Sequence, residues 1–190
     1  MLISVVIPTY NRLPILKKCL DALENQILND KIQNFEIVIV DDGSTDETVY
    51  WLRNNFETYP HLRLFEQSHG GPALGRNLGV ERSRGDIIVF IDSDLVVDRY
   101  FLINHVDSLF KAWKKLGNRR CFTYGSVINT SNFNYPNSEP FKLQDLSWAY
   151  FATGNVAIDK MVLEKSGLFD PSFRLYGWED LELGERLRNM

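Results

Sequence analysis

Several things are scarce in this sequence, and each scarcity removes a class of function. Only two cysteines occur in 190 residues, Cys19 and Cys121. They form no CxxC pair and no Cys/His cluster, so neither a zinc centre nor a disulfide scaffold is encoded. Cys19 shares helical spacing with Leu16, Leu20 and Leu23, which marks it as a small buried apolar residue. The three histidines, His61, His69 and His105, show no ligand spacing. His61 and His105 read as structural or surface residues, and only His69 sits in a loop of interest. No apolar run approaches the roughly 20 residues that a membrane-spanning helix requires. The N-terminus carries no signal-peptide pattern. A cytoplasmic, reducing location is therefore expected, with room for peripheral association at the inner face of the membrane. Positive charge is not in excess: 21 basic against 25 acidic residues give a net charge of −4. Nucleic-acid binding needs a basic face, so it is not expected. Glycine is missing from the turn after the first apolar run, which reads Pro8-Thr9-Tyr10-Asn11-Arg12. That excludes the GxGxxG dinucleotide turn, and no GxxxxGK[ST] phosphate loop occurs either.

What is present is alternation. Leu2–Ile7, Glu36–Val40, Leu62–Phe65 and Ile87–Ile91 read as strands, rich in Val and Ile and bounded by polar or turn residues. Pro14–Gln26, Asp46–Phe56 and Pro72–Ser83 read as the helices between them. Pro14 and Pro72 suit a first helical turn, and Ser44 followed by Glu47 has the pattern of a capping box. The near-continuous apolar character of the strands requires burial on both faces. The spacing thus predicts an α/β fold, a Rossmann-like, mostly parallel sheet flanked by helices on both faces. Further on, Phe101–Leu116 reads as a helix, Cys121–Ile128 and Asn155–Asp159 as strands, and Asp180–Asn189 as a helix. Asn129–Phe151, polar and aromatic without periodicity, reads as a loop or insertion, either an acceptor lip or a packed surface loop. Residues 1–190 form one expected domain, with the pattern of the last helix suggesting truncation at the C-terminus.

In open parallel sheets, ligands bind beyond the carboxyl ends of the strands. Three polar clusters fall at that edge: Pro8 to Arg12, Asp41 to Asp46, and Asp92-Ser93-Asp94. Residues i and i+2 of an extended segment point the same way, so Asp92 and Asp94 can face one ion. Hard carboxylate oxygens suit Mg²⁺ or Mn²⁺, which bind substrate phosphates directly. A solvated turn gives the same pattern, because a lone DxD is common by chance. Asp41 and Asp42 are either turn and cap residues or an acceptor for a base imide N–H, a contact that selects uracil over cytosine. His69-Gly70-Gly71-Pro72 leads into a helix whose N-terminus favours anions, with Arg76 one turn in, able to reach a phosphate or support the Asp92 loop. In Trp178-Glu179-Asp180, the acids are either dipole complements of a helix start or a general base with its partner, and in the second case Trp178 would supply a platform for a sugar ring.

Each pattern is weak alone, but their order is specific. Ser4-Val5-Val6-Ile7-Pro8-Thr9-Tyr10-Asn11-Arg12 is similar to the opening of the family 2 glycosyltransferases, which have the GT-A fold. Val40-Asp41-Asp42-Gly43-Ser44-Thr45-Asp46, Gly75-Arg76-Asn77-Leu78-Gly79, Phe90-Ile91-Asp92-Ser93-Asp94 and Gly177-Trp178-Glu179-Asp180 match its later motifs. The resemblance implies an inverting enzyme of polysaccharide biosynthesis. It would transfer a hexose or N-acetylhexosamine from a UDP-sugar to a hydroxyl of a carbohydrate or glycolipid acceptor. Pro8, Thr9, Tyr10 and Asp42, assisted by Asp41, would hold the uridine, with Arg76 near the diphosphate. Asp94 would ligate Mn²⁺ or Mg²⁺, with Asp92 on the ribose or reaching the metal through water. Asp180 would be the catalytic base, Glu179 would position the acceptor, and Trp178, Gly154 and Asn155 would meet the sugar or acceptor. Gly177 to Gly184 looks most like the galactosyl- and N-acetylgalactosaminyl-transferring branch, including bacterial chondroitin-type polymerase domains. Family members continue past this helix with a histidine metal ligand and acceptor loops, so the resemblance leaves the source of a third ligand open. Rival readings are a donor-binding or assembly module without catalysis and, less consistent with the first turn, a sugar-phosphate nucleotidyltransferase.

Overall fold

In the computed structural model, the described residues are 1–132, 135, 151–173 and 178–190. Six strands make one sheet: β1 (Leu2–Thr9), β2 (Asn34–Asp41), β3 (Leu62–Glu66), β4 (Ile87–Ile91), β5 (Phe122–Tyr124) and β6 (Asn155–Asp159). Their order is β3-β2-β1-β4-β6-β5. β1, β2, β3 and β4 run parallel, whereas β6 pairs antiparallel with both β4 and β5.

Alternate residues of the parallel strands feed two separate cores, as the period of two demands. Ile3, Val5 and Ile7 of β1 and Ile37 and Ile39 of β2 face one side. There they meet Leu16 and Leu20 of α1 (Leu13–Glu24), Leu52 of α2 (Thr48–Arg53) and Leu102 and Leu109 of α4 (Phe101–Leu116). Val6, Val38, Val40, Ile88 and Phe90 face the other side. They pack on Ala73 and Val80 of α3 (Pro72–Arg82), Leu163 of α5 (Lys160–Lys165) and Leu183 of α6 (Trp178–Arg188). Helices therefore cover both faces of a mostly parallel sheet, as the strand pattern predicts. Cys19 is fully buried on α1, and burial pushes its thiol far above the ordinary range. No helix among the described residues is long and apolar enough to cross a membrane.

Three local expectations need correction. The residues Ser44 and Glu47 form no capping box: α2 begins at Thr48, and its cap residue Glu47 makes no side-chain cap bond. The Ser44 hydroxyl instead accepts the Asn11 N–H at 2.9 Å, and the Asp46 carboxylate accepts the Thr48 N–H at 3.0 Å. The strand expected over Cys121–Ile128 shortens to Phe122–Tyr124. A six-residue helix, α5, follows β6 directly where none was expected, with Asp159 capping it by accepting the Val162 N–H at 3.2 Å. Of the expected loop over Asn129–Phe151, residues 133, 134 and 136–150 lie outside the described residues, as do 174–177.

The chain order reverses between β1 and β4: β2 and β3 build outward from one side of β1, and β4 lies on the other. Such a switch point leaves a crevice beyond the strand ends. Here the crevice opens between the loop after β1 and Asp92-Ser93-Asp94 after β4.

Candidate active site

A cleft of about 330 Å³ occupies the switch point, lined by Pro8, Thr9, Tyr10, Arg12, Asp42, Pro72, Arg76, Asp92, Ser93 and Asp94. Asn11 ties its first wall together. Its backbone is left-handed, with φ of 50°, a conformation Asn tolerates better than most residues. Its side-chain oxygen accepts the N–H groups of Thr45 (2.8 Å) and Asp46 (3.2 Å), locking the β1 and β2 loops to each other.

The two acids after β2 divide their work. Asp42 is committed to the next loop: Gln67 Nε2 donates to Oδ1 at 2.7 Å, and the N–H groups of Gly70 and Gly71 donate at 2.9 and 3.0 Å. His69 Nδ1 lies 2.9 Å from Asp42 Oδ2. Its ring leans on Tyr10, with centroids 4.3 Å apart. Asp41 Oδ1 accepts the N–H groups of Gly43 (3.1 Å) and Ser44 (2.8 Å). Asp41 Oδ2 and, on the paired rung of β1, Thr9 Oγ1 are buried without a partner among the described residues. Buried polar atoms are almost always satisfied, so this pair is an exception in the fold; Thr9 lines the cleft, whereas Asp41 lies beneath it, outside the lining.

At the other wall, Arg76 is a hub rather than a surface cation. It is 1% exposed. Nη1 donates to Glu179 Oε1 at 2.9 Å and lies 3.8 Å from Asp180 Oδ1, while Nη2 donates to Asp92 Oδ1 at 3.1 Å. One guanidinium thus serves three carboxylates. Asp180 is held from a third direction: the Thr153 N–H and hydroxyl donate to it at 3.0 and 2.9 Å. Burial pushes the Asp180 carboxyl above its ordinary value, against the lowering pull of Arg76 and Thr153. The result is a carboxylate with raised proton affinity and a fixed orientation, as a general base needs. Glu179 itself is fully buried, so it reaches the site through Arg76.

Asp94 pairs with Arg12 at the cleft mouth. Asp92 and Asp94 both line the cleft, and the backbone of Gly154 closes on Asp92, where an added Cβ would stand 3.3 Å from Oδ2. Among the described residues no group of three or more His, Cys, Asp or Glu could hold a metal alone. Two carboxylates next to room for phosphate nevertheless fit Mg²⁺ or Mn²⁺, which complete their shells with water and substrate oxygens. Trp178, at the start of α6, is 64% exposed. Asn155 is turned to internal work, accepting from His105 Nε2 at 2.8 Å and donating to the Ser126 carbonyl at 3.3 Å. Asn11 and Arg12 stood in the first motif, but Gln67 carries part of this architecture without a sequence signal beyond its place in a loop. Thr153 was visible only as part of a loop beside the expected acceptor residues.

The profile of glycosyl transferase family 2 matches residues 4–167. The chain belongs to that family. This glycosyltransferase is 28% identical to a chondroitin synthase of Pasteurella multocida, over 97% of its own length and 23% of the relative's. It superposes on the crystal structure of Staphylococcus aureus TarS 1-349 in complex with UDP with a TM-score of 0.70, at 21% identity, covering 98% of this chain and 55% of that one. The mannosyltransferase PcManGT of Pyrobaculum calidifontis, solved with GDP-Man and Mn²⁺, gives a TM-score of 0.70 at 27% identity, with 97% and 51% covered. The fold is thus GT-A. The chain spans only 26%, 36% and 22% of the length of three curated relatives, glycosyltransferases of Escherichia coli and Haemophilus influenzae and a Pasteurella hyaluronan synthase.

Proposed function

We propose that this glycosyltransferase inverts the anomeric centre while moving a hexose or N-acetylhexosamine from a UDP-sugar to an acceptor hydroxyl, with a divalent cation. The observation that carries the reading is Asp180: a desolvated carboxylate, fixed by Thr153 and joined through Arg76 to Asp92 in the diphosphate cleft. A single in-line displacement needs one base to accept the acceptor's proton and no carboxylate nucleophile. Asp180 supplies that base.

In this reading Asp42, which lines the cleft, accepts a base imide N–H, assisted by the buried Asp41, with Thr9 beside it and Tyr10 against the base. An acceptor-only carboxylate there suits uracil or guanine, which offer a ring N–H, and disfavours cytosine and adenine, which do not. UDP is the reading adopted, supported by the TarS complex with UDP, and GDP is the alternative that the test resolves. Asp94, with Asp92, would hold Mn²⁺ or Mg²⁺, which when bound would neutralise the leaving diphosphate.

The test is a thermal-shift panel of UDP, GDP, CDP and ADP with and without Mn²⁺, followed by transfer from UDP-sugars. A specific ligand at 100 times its Kd adds about 2.7 kcal/mol of stability. UDP with Mn²⁺ should give the largest shift, and Asp94→Asn should remove the Mn²⁺-dependent part. A larger shift from CDP or ADP, or a UDP shift indifferent to Mn²⁺ and to Asp94→Asn, would overturn the reading.

A further inference from the structure

Two arginines stand among the described lining residues of the cleft at the switch point, Arg12 and Arg76, and they differ in how firmly they are held. Arg76 is 1% exposed, and its two Nη atoms are engaged by Glu179 at 2.9 Å and Asp92 at 3.1 Å. Turning it toward a phosphate would strip a buried carboxylate of its partner, a loss that a surface contact does not offset. Arg12 is the opposite case. Its side chain is 53% exposed, and its one ion-pair partner among the described residues is Asp94, itself 38% exposed. An exposed pair of this kind shifts an equilibrium by at most about fivefold, so it yields to a stronger partner.

The backbone under Arg12 stays fixed while its side chain moves. The Arg12 carbonyl accepts the N–H groups of Ile15 and Leu16 at 3.2 and 3.0 Å, which starts α1. Asn11, just before it, is bonded to Ser44, Thr45 and Asp46 of the neighbouring loop. The long side chain therefore pivots about a set point at the cleft mouth. A cation on Asp94 and the Arg12 guanidinium would claim the same carboxylate and repel each other. A diphosphate offers Arg12 a replacement, because its oxygens match the two parallel N–H donors of a guanidinium.

We propose that Arg12 changes partners as the donor binds: it gives up Asp94 to the divalent cation and turns its guanidinium to the donor's diphosphate. Arg12 thus opposes the metal when it comes alone and supports it when it comes with a diphosphate, which couples the two ligands. The proposal rests on the assignment of Asp94 to the cation made above.

The experiment reads binding, not turnover. Mn²⁺ alone, titrated at millimolar metal by water-proton relaxation, should bind Arg12→Met about threefold more tightly than wild type, because a competitor for Asp94 is gone. UDP at saturating Mn²⁺, titrated by calorimetry, should bind Arg12→Met about tenfold more weakly, the loss of a charge-assisted phosphate contact. Uridine, which has no phosphate, should bind both alike. Arg12→Lys keeps the charge, so it should stay near wild type with Mn²⁺ alone and recover part of the UDP affinity. An Arg12→Met variant with no gain in Mn²⁺ affinity, with UDP affinity within about twofold of wild type, or with uridine weakened as much as UDP would overturn the exchange. Asp94→Asn tells its failure from that of the proposed function. Should this variant bind Mn²⁺ in the presence of UDP as wild type does, the metal assignment falls and the exchange with it. Should it lose that binding while Arg12→Met shows none of the expected changes, only the exchange falls.

Discussion

Arg76 Nη1 and Glu179 Oε1 stand 2.9 Å apart across 103 residues of sequence, each side chain 1% exposed. The pair clamps α3 to α6 over the sheet and sets where Asp92 and Asp180 stand. Removing one member of a buried ion pair strands the other, which costs about 3–5 kcal/mol. Arg76→Met is expected at that level by urea unfolding, because it takes a buried guanidinium away from Glu179, Asp92 and Asp180. Replacing both partners, Arg76→Met with Glu179→Leu, should recover part of the loss. A double variant no more stable than Arg76→Met would show that the pair is not the clamp.

With Asp180 as the proposed base, transfer should follow its ionisation. Its carboxyl is raised above the ordinary value of 3.8 chiefly by burial, so it takes up a proton at higher pH than an exposed acid. As a base it works only when ionised, so kcat/KM should fall as pH drops through that raised value. Asp180→Asn should keep UDP affinity in Mn²⁺ while transfer falls about 10²–10⁴-fold and the acid limb disappears. Transfer by Asp180→Asn within threefold of wild type would remove Asp180 from the base role.

Much of this was legible in the sequence, and the reasons are local. Val and Ile runs fix β1 to β4, and the switch point follows from their order, so Pro8 to Arg12, Asp41-Asp42 and Asp92 to Asp94 were bound to share one edge of the sheet. Arg76 was harder. A helix with a weak apolar stripe gives no sign that its arginine is buried, because the partners Glu179 and Asp180 arrive from 103 and 104 residues away (179 − 76 and 180 − 76). The Ser44 cap failed because a tertiary contact, the Asn11 N–H, competed for the same hydroxyl. α5 escaped because six residues give too short a periodic signal, although its cap Asp159 was in plain view.

Gly79 tests the close approach of α3 to the sheet. A Cβ added there would stand 2.3 Å from Val6 Cγ1 and 3.4 Å from Val40 Cγ2, both on fully buried, β-branched side chains. Neither can swing aside, so the helix must move. Overpacking of this kind costs about 1–3 kcal/mol, more than the gain of up to about 1 kcal/mol from replacing a helical glycine by alanine. Gly79→Ala should therefore lower stability, and Val6→Ala in the same chain should relieve part of the clash. Unchanged stability in Gly79→Ala would mean that the helix stands further from β1 than this packing requires.

His105 gives the fold its own pH dependence, separate from catalysis. Burial lowers its pKa below the ordinary 6.5, against a smaller raising effect of Asn155. The unfolded chain then binds a proton at higher pH than the folded one. The stability tied to neutral His105 is full above about pH 6.5 and is lost as pH falls through the lower folded value. One proton contributes at most about 1.4 kcal/mol per pH unit. Between pH 7 and 5.5, wild type should lose stability more steeply than His105→Gln, whatever the variant's starting value. Parallel slopes for wild type and His105→Gln in urea unfolding would show that this histidine titrates alike in both states, and that its bonds to Thr123 and Asn155 do not depend on its being neutral.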